Sequence, residues 1–334
     1  MDFIKKKDGT YIIAEIGNNH EGDINLAKKL IKLASECGCD AVKFQSIKPE
    51  LLIGNKNIKR LEQLKKFEFK KEHYFELKVV AEEENIDFLS TPFDLNSVDY
   101  LDDLVSAYKI SSGDINYFQL LERVAKKFKP IILSTGMSTI PEIKSSLNFI
   151  KKEWDKQFKK QTQIYILHCV SSYPTPSEYA NLNALKDLKK LEHPIGYSDH
   201  TIGIEASIIA VAMGAKIIEK HFTISNTHSE FRDHQLSLNP KDMKKLVTEI
   251  RNTERYIGNE SKYPMVIEKE SIKLMRRSIF TKSAIKKGEI LTEDKLICLR
   301  PGAGISPSKI YDLIGKKIKN DLEANQMIQL EDII

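Results

Sequence analysis

Along the chain, short runs of apolar, β-rich residues alternate with longer stretches whose apolar positions recur every three or four residues. The first pattern fits a buried parallel strand and the second an amphipathic helix. Eight such pairs precede residue 258, with strands expected at 11–16, 41–45, 87–91, 107–110, 130–134, 164–169, 195–198 and 215–221. The stretches between carry helix punctuation: Asp23 stands as an N-cap ahead of an apolar stripe of Leu26, Ala27, Leu30, Ile31 and Ala34. Alternation of this kind predicts an α/β chain with a parallel sheet. Eight βα units in about 250 residues is the size of a closed (β/α)8 TIM barrel.

After a helical stretch at 240–256 the spacing changes. The segment 258–264 reads as a boundary, so the barrel is assigned to 1–258, a linker to 259–275 and a small domain to 276–334. That domain shows short strands and turns, at 278–281, at Lys287-Gly288-Glu289, and at 296–300 before Pro301-Gly302. A module of about 60 residues is marginal on its own core, so it is expected to pack on the barrel or on a partner chain. The longest apolar run, 206–218, is broken by Gly214 and Lys216 and is too short to span a bilayer. It reads as a buried helix running into a strand. Lys5, Lys6, Lys7 and Asp8 precede a single short apolar run that lacks the features of a signal peptide, so a cytoplasmic protein with no membrane partner is expected.

A hydrophobic fraction of 41% over 334 residues is enough for a full core. The net charge of +5 comes from 52 basic and 47 acidic residues spread along the chain; it suits a soluble protein that attracts small anions and gives no sign of nucleic acid. Lysine runs at 5–7 and 126–129 read as solvated surface. Cys37, Cys39, Cys169 and Cys298 are too scattered for a disulfide framework and form no C-x-x-C pair, which leaves them as reduced thiols.

Barrel chemistry sits where the strands end. Here those ends are polar: Glu15, Lys43 with Gln45, Ser90 with Thr91, Lys109 with Ser112, Ser134 with Thr135, His168, Ser198-Asp199-His200, and Glu219 with His221. One unpartnered buried polar group costs about 1–3 kcal/mol, so this convergence predicts a shared ligand or network. Lys43 and Lys109 each interrupt an apolar strand. Snorkelling from a strand edge explains one such lysine; two at strand ends, with hydroxyls nearby, make a pocket for phosphate beside a carboxylate. A Schiff base on either lysine is the rival chemistry. His200 and His221 would end neighbouring strands and can converge on one divalent ion, with a pair of hydrogen-bonded structural histidines as the alternative. Two nitrogen ligands without cysteine point to an open site for manganese, or for Mg2+ or Co2+ in its place, rather than structural zinc. His168 reads as a satisfied strand-end group, His73 and His193 as surface, and His20, His228 and His234 as groups supporting the site from nearby loops. Glu15 fits a proton-transfer group, an acceptor for a sugar hydroxyl, or the ion-pair partner of a lysine.

These residues stand in motifs that resemble the sialic-acid (nonulosonic acid) synthase family: AEIGNNHEG (14–22), VKFQ (42–45), STPF (90–93), YKISSGD (108–114), LSTGM (133–137), YPTP (173–176), GYSDHT (196–201) and EKHFT (219–223). SIFTKSAIKKGEIL (278–291) and LRPGAGI (299–305) resemble the antifreeze-like (SAF) domain that accompanies the barrel in that family. The resemblance implies a C–C bond-forming transferase that joins phosphoenolpyruvate, an N-acetylated amino-sugar aldehyde and water into a nine-carbon 2-keto sugar acid and phosphate. It implies that His200 and His221 hold a divalent metal and that Lys43, Lys109, Ser112, Ser134 and Ser198 grip phosphoenolpyruvate. Glu15, Asp114, Tyr173 and Asp233 would face the amino sugar, with Arg300 inserted from the partner chain of a domain-exchanged homodimer.

The sequence departs from the family pattern at Phe231-Arg232, where Gly-Pro is frequent, at Phe44, where bacterial members often carry histidine, and at Ser171, where asparagine is frequent. Ser112-Gly113-Asp114 sets the pseudaminic branch aside. Phe44 and Phe231 suggest a less polar sugar end, so the expected pair is 2,4-diacetamido-2,4,6-trideoxymannose and N,N'-diacetyllegionaminate. N-acetylneuraminate from N-acetylmannosamine is the alternative, ahead of a Schiff-base aldolase and a passive sugar- or ice-binding protein.

Overall fold

The computed structural model describes residues 9–54, 57–157, 161–259 and 261–334; the lysine run at 5–7 and the reading of the first eight residues lie outside them. Eight parallel strands form one sheet: β1 (Tyr11–Gly17), β2 (Ala41–Ser46), β3 (Asp87–Pro92), β4 (Tyr108–Ile110), β5 (Ile131–Ser134), β6 (Ile164–His168), β7 (Ile195–Asp199) and β8 (Ile217–His221). Their order is β3-β2-β1-β8-β7-β6-β5-β4, and β3 also packs beside β4, so the sheet curls round into a (β/α)8 barrel. Each expected strand overlaps an observed one. Helix Ile24–Glu36 begins where expected: the Asp23 carboxylate accepts from Asn25 N at 2.8 Å and Leu26 N at 3.3 Å, and Ala27, Leu30, Ile31 and Ala34 are buried. Such a cap contributes about 1 kcal/mol.

Alternation along the strands sorts the apolar residues into two layers. Tyr11, Ile13, Ala41, Leu89, Ala107, Ile132, Tyr165, Leu167 and Ile217 cluster together as the barrel filling. Ile12, Ala14, Ile16, Val42, Phe44 and Phe88 belong to the larger layer shared with the helices. The inward series therefore continues upward from Ile13 to Glu15, from Ala41 to Lys43, from Ala107 to Lys109 and from Ile217 to Glu219. Phe44 falls on the opposite parity. Its ring stacks on Phe88 with centroids 5.7 Å apart in the outer layer, which overturns the expectation that it lines the sugar end. Helix Glu205–Ala212 is also less enclosed than expected: Ser207, Ala210 and Val211 are buried, but Ile209 is 49% exposed. Among the described residues no helix is long and apolar enough to cross a membrane.

The chain divides into two compact units, Met1–Gly258 and Asn259–Ile334. In the second, β9 (Ser278–Thr281) pairs antiparallel with β10 (Leu296–Leu299) over a core that includes Ile279, Ile285, Leu291, Ile318, Leu322 and Ile328. The span read as a linker holds helix Lys269–Met275, with Leu274 and Met275 exposed.

Gly196 on β7 has no room for a side chain, because a Cβ there would lie 2.3 Å from Leu167 Cδ2 and 2.7 Å from Ile217 O. Gly196→Ala should destabilise the barrel by about 1–3 kcal/mol, seen as a lower urea midpoint at unchanged m. An unmoved midpoint would show that β6 and β8 yield freely.

Candidate active site

Register sets the site. Glu15 pairs with Lys43 across one ladder and with His221 across the other, and Ser198 pairs with Glu219. These side chains line a cavity of about 420 Å³ together with Lys109, Ser112, Ser134, Tyr173, His200 and Asp233. At its base Lys43 Nζ lies 2.8 Å from Glu15 Oε2 and 3.8 Å from Glu219 Oε2, and donates to Thr91 Oγ1 at 2.9 Å. Lys109 Nζ donates to Ser134 Oγ at 2.6 Å and lies 3.6 Å from Glu219 Oε1. Glu219 Oε1 also accepts from Ser198 Oγ at 2.7 Å, and Glu15 Oε1 from Gln45 Nε2 at 2.9 Å. Two ammonium groups and two carboxylates thus share one network at 3–5% exposure.

Burial works against all four charges, and their neighbours decide the outcome. For Lys43 burial is outweighed by Glu15 and Glu219, which hold it above its ordinary value. For Lys109 burial prevails over Glu219 and lowers it. Burial raises Glu15 in spite of Lys43, with Glu219 adding to the rise. Glu219 goes the other way, since Lys109 and Lys43 overcome its burial. The two carboxylates are therefore driven apart, with Glu219 the firmer anion and Glu15 the readier to carry a proton.

The His200 and His221 rings stand above this network with centroids 5.6 Å apart. His200 Nδ1 lies 2.8 Å from Val170 O and donates to it, which leaves Nε2 with a free lone pair. Burial, then the neighbouring His221, lowers His200 to about 4, and burial lowers His221. Neutral imidazoles are what a metal requires. Among the described residues, buried His221 Nδ1 and Glu219 Oε2 have no hydrogen-bond partner. An unsatisfied buried imidazole nitrogen beside a second free one fits a divalent cation. The Tyr173 ring lies 4.2 Å from that of His200, and burial pushes its hydroxyl well up. Arg232 places its guanidinium 5.3 Å from the centre of the same ring.

Glu15, Lys43, Lys109, Ser112, Ser134, Tyr173, Ser198, His200, His221 and Asp233 are brought together as expected from sequence. Asp114 is not: its carboxylate accepts from Ser111 Oγ at 2.5 Å, and Ser111 is the residue that faces the cavity. Arg300 is exposed in the second unit. Phe231 packs edge-on to Phe67 at 4.9 Å in a recess with Arg60 and Arg232, so it does not line the cavity either. Ser90, Thr135, His168 and Asp199 satisfy themselves elsewhere, on Ser46, Leu167 O, Ala180 O and Lys220. Glu219 was placed at a strand end by the sequence but given no role; its position two residues before His221, on the same face, was the signal. Cys169 and Ser111 also line the cavity, and neither was singled out. A larger groove of about 920 Å³ near Pro174, Ile202 and Ile209 carries none of these charged groups, so the chemistry belongs to the smaller cavity.

Buried lysines, split carboxylates and unprotonated histidines at the strand ends of a barrel define an enzyme with an anionic substrate. The sequence matches the model of the NeuB family over residues 30–262 and that of the SAF domain over 276–334. It is 42% identical over 337 residues to the N,N'-diacetyllegionaminic acid synthase of Campylobacter jejuni, covering 96% of this chain and 99% of that one. To the enzyme of the same name from Legionella pneumophila it is 38% identical over 339 residues, covering 97% and 94%. The crystal structure of N-acetylneuraminic acid (sialic acid) synthetase from Leptospira borgpetersenii, in complex with citrate, aligns with a TM-score of 0.75 at 39% identity over 79% of this chain and 90% of that one. The chain belongs to the NeuB family: it is a nonulosonic-acid synthase with a C-terminal SAF domain.

His20, in the loop after β1, is structural. It is buried with its ring stacked on Phe69 at 4.0 Å, and its Nδ1 accepts from Gly22 N at 3.0 Å. Burial lowers it from 6.5 to about 3. Between those values the unfolded chain binds the extra proton, so stability falls as pH drops through that window. His20→Gln should flatten that part of the acid limb in denaturation profiles; an unaltered slope would mean that His20 carries a proton in the fold.

Proposed function

We propose that this chain condenses phosphoenolpyruvate with 2,4-diacetamido-2,4,6-trideoxymannose and water to give N,N'-diacetyllegionaminate and phosphate. The observation that carries the reading is the meeting of Lys43 and Lys109 with a neutral histidine pair in one cavity. Lys43, Lys109, Ser112, Ser134 and Ser198 offer cations and hydroxyls to the phosphate and carboxylate of phosphoenolpyruvate. His200 and His221 would hold a divalent ion, Mn2+ first with Mg2+ or Co2+ as substitutes, which when bound supplies Lewis-acid polarisation of a carbonyl oxygen. Tyr173 and Asp233, at the same cavity, orient the open-chain sugar.

In the reaction, C3 of phosphoenolpyruvate forms the new bond to the aldehyde carbon, and the aldehyde oxygen gains a proton. Water adds at C2 and loses one proton, and the C2–O bond to phosphate then breaks as the new C2 hydroxyl passes its remaining proton to the departing phosphate, leaving the 2-keto acid. Glu15, raised by burial, is the donor to the aldehyde oxygen, and Glu219, held as a carboxylate, receives the proton of the water. The sugar assignment rests on the two legionaminic relatives and their near-complete coverage, since Phe44 and Phe231 do not line the cavity. N-acetylneuraminate from N-acetylmannosamine is the second reading, favoured by the fold match to the Leptospira enzyme. Arg300 is proposed to enter the cavity of a partner subunit in a domain-exchanged homodimer, supported by the LRPGAGI motif that carries it.

Phosphate release should require phosphoenolpyruvate, the 4-acetamido-6-deoxy sugar and Mn2+, stop on chelation, and leave nothing for borohydride to trap. Lys109→Met should lower kcat by about 10²–10³. Equal rates with N-acetylmannosamine and the altrose isomer would remove the sugar assignment, and activity that survives chelation but not borohydride would replace the reaction with a Schiff-base one.

Arg300→Ala should be nearly inactive alone and regain activity when mixed and reassociated with Lys109→Met, because one barrel of each mixed dimer is then intact. An Arg300→Ala protein that stays dimeric and fully active would end the cross-subunit role.

A further inference from the structure

Outside the cavity, the loop after β8 is fastened to the loop after β1 by a second histidine cluster. His234 is fully buried on the short helix Arg232–Leu236, with Thr223 Oγ1 at 2.6 Å from its Nδ1 and Glu21 Oε1 at 2.8 Å from its Nε2. The Thr223 hydroxyl stands between His234 Nδ1 and Ser225 O, 3.1 Å away, and can donate to either. Nε2 faces a carboxylate. An imidazole nitrogen and a carboxylate oxygen this close are joined either by the ring N–H or by a metal ion.

The next side chain favours a metal. His228 is exposed, with its ring centroid 5.2 Å from that of His234. One ligating atom from each of Glu21, His228 and His234 lies within 4.8 Å of the others. Tetrahedral zinc with bonds of about 2.0–2.1 Å needs donors about 3.3 Å apart, a closure that the exposed His228 can supply by rotation. The supporting contacts are those of a metal site: Thr223 Oγ1 holds the other nitrogen of the His234 ring, and Ser229 Oγ donates to Glu21 Oε1. None of the three residues lines the catalytic cavity.

We propose that Glu21, His228 and His234 form a second divalent-metal site, a set of two imidazoles and one carboxylate suited to Zn2+ and separate from the His200–His221 pair. An ion there ties the β8 loop to the β1 loop. It also steadies Asp233, which neighbours His234 in sequence and whose backbone oxygen accepts from Ser237 Oγ. The site is independent of the reaction proposed above.

The test is equilibrium dialysis of the metal-free, full-length chain against Zn2+, with elemental analysis of the bound ion. Wild type should hold one more Zn2+ per chain than His228→Ala. A His200→Gln, His221→Gln variant should keep that ion, and adding His228→Ala to it should abolish binding. Thr223→Val should weaken the site about 10–100-fold. Because His228 is exposed, its replacement leaves the fold intact, and Co2+ in place of Zn2+ gives a visible absorption band that His228→Ala should lose. Equal stoichiometry and equal Co2+ spectra for wild type and His228→Ala would overturn the proposal and leave His234 as a hydrogen-bonded bridge between Thr223 and Glu21.

Discussion

Lys43, Lys109, Glu15 and Glu219 must be buried together or not at all. Each is cut off from water by the barrel wall, and a single one left unpaired would cost about 3–5 kcal/mol. The eight-stranded ring meets that demand by fixing parity: once Ile13, Ala41, Ala107 and Ile217 fill the barrel, the next inward positions are those four residues. The filling and the charged network above it are consequences of one strand register. With Glu15 ionised the network is balanced in formal charge, and with Glu15 protonated it carries one net positive charge. A divalent ion on the neutral histidine pair would add two positive charges beside Lys43 and Lys109, which an anionic ligand would help to offset. Cation and phosphoenolpyruvate are then expected to strengthen each other's binding, and the effect must be reciprocal.

The same network explains how one pair of glutamates can serve two roles. Glu219 has two lysines and a serine hydroxyl around it, whereas Glu15 has one lysine, a neutral amide and the repulsion of Glu219. Like charges so close do not both remain ionised easily, and the less supported one gives way. The asymmetry is structural and precedes any ligand. It suits the two proton transfers proposed for the reaction and leaves His200 and His221 available to a metal.

Much of this was legible in the sequence, because period-2 alternation and strand-end position are local signals. The eight strands and the inward Glu15, Lys43, Lys109, Ser134, Ser198, His200 and His221 follow from them, whereas Tyr173 and Asp233 came only from the family resemblance. The failures came where the same rule was not carried through. Phe44 adjoins Lys43, and if the lysine points in, the phenylalanine must point out; reading it as a pocket residue ignored its own strand. Asp114 failed for a different reason. It lies in the single helical turn after β4, where no strand parity applies, and a local hydrogen bond to Ser111 decided its direction. Glu219 was visible but unread, since a carboxylate between two lysines distant in sequence gains meaning only once the ring closes.

That distinction also divides the site. The groups that would hold the anion, Lys43, Lys109, Ser134 and Ser198, all stand on strands; β2, β5 and β7 are laddered on both sides, and β4 is laddered to β5 and packed beside β3. Those nearer the proposed sugar end, Tyr173, Arg232 and Asp233, stand on loops and a five-residue helix. Strands hold a side chain more rigidly than loops do, so the anion end can be shared among enzymes with different sugars while the loops vary. The loop after β8 compensates through side-chain anchors: Asn19 donates to Phe222 O and Ser237 Oγ, Asn226 to Ser237 O, and His234 bridges Thr223 and Glu21. Sugar selectivity in this enzyme is therefore expected to depend on how firmly that loop is held as well as on the residues it presents.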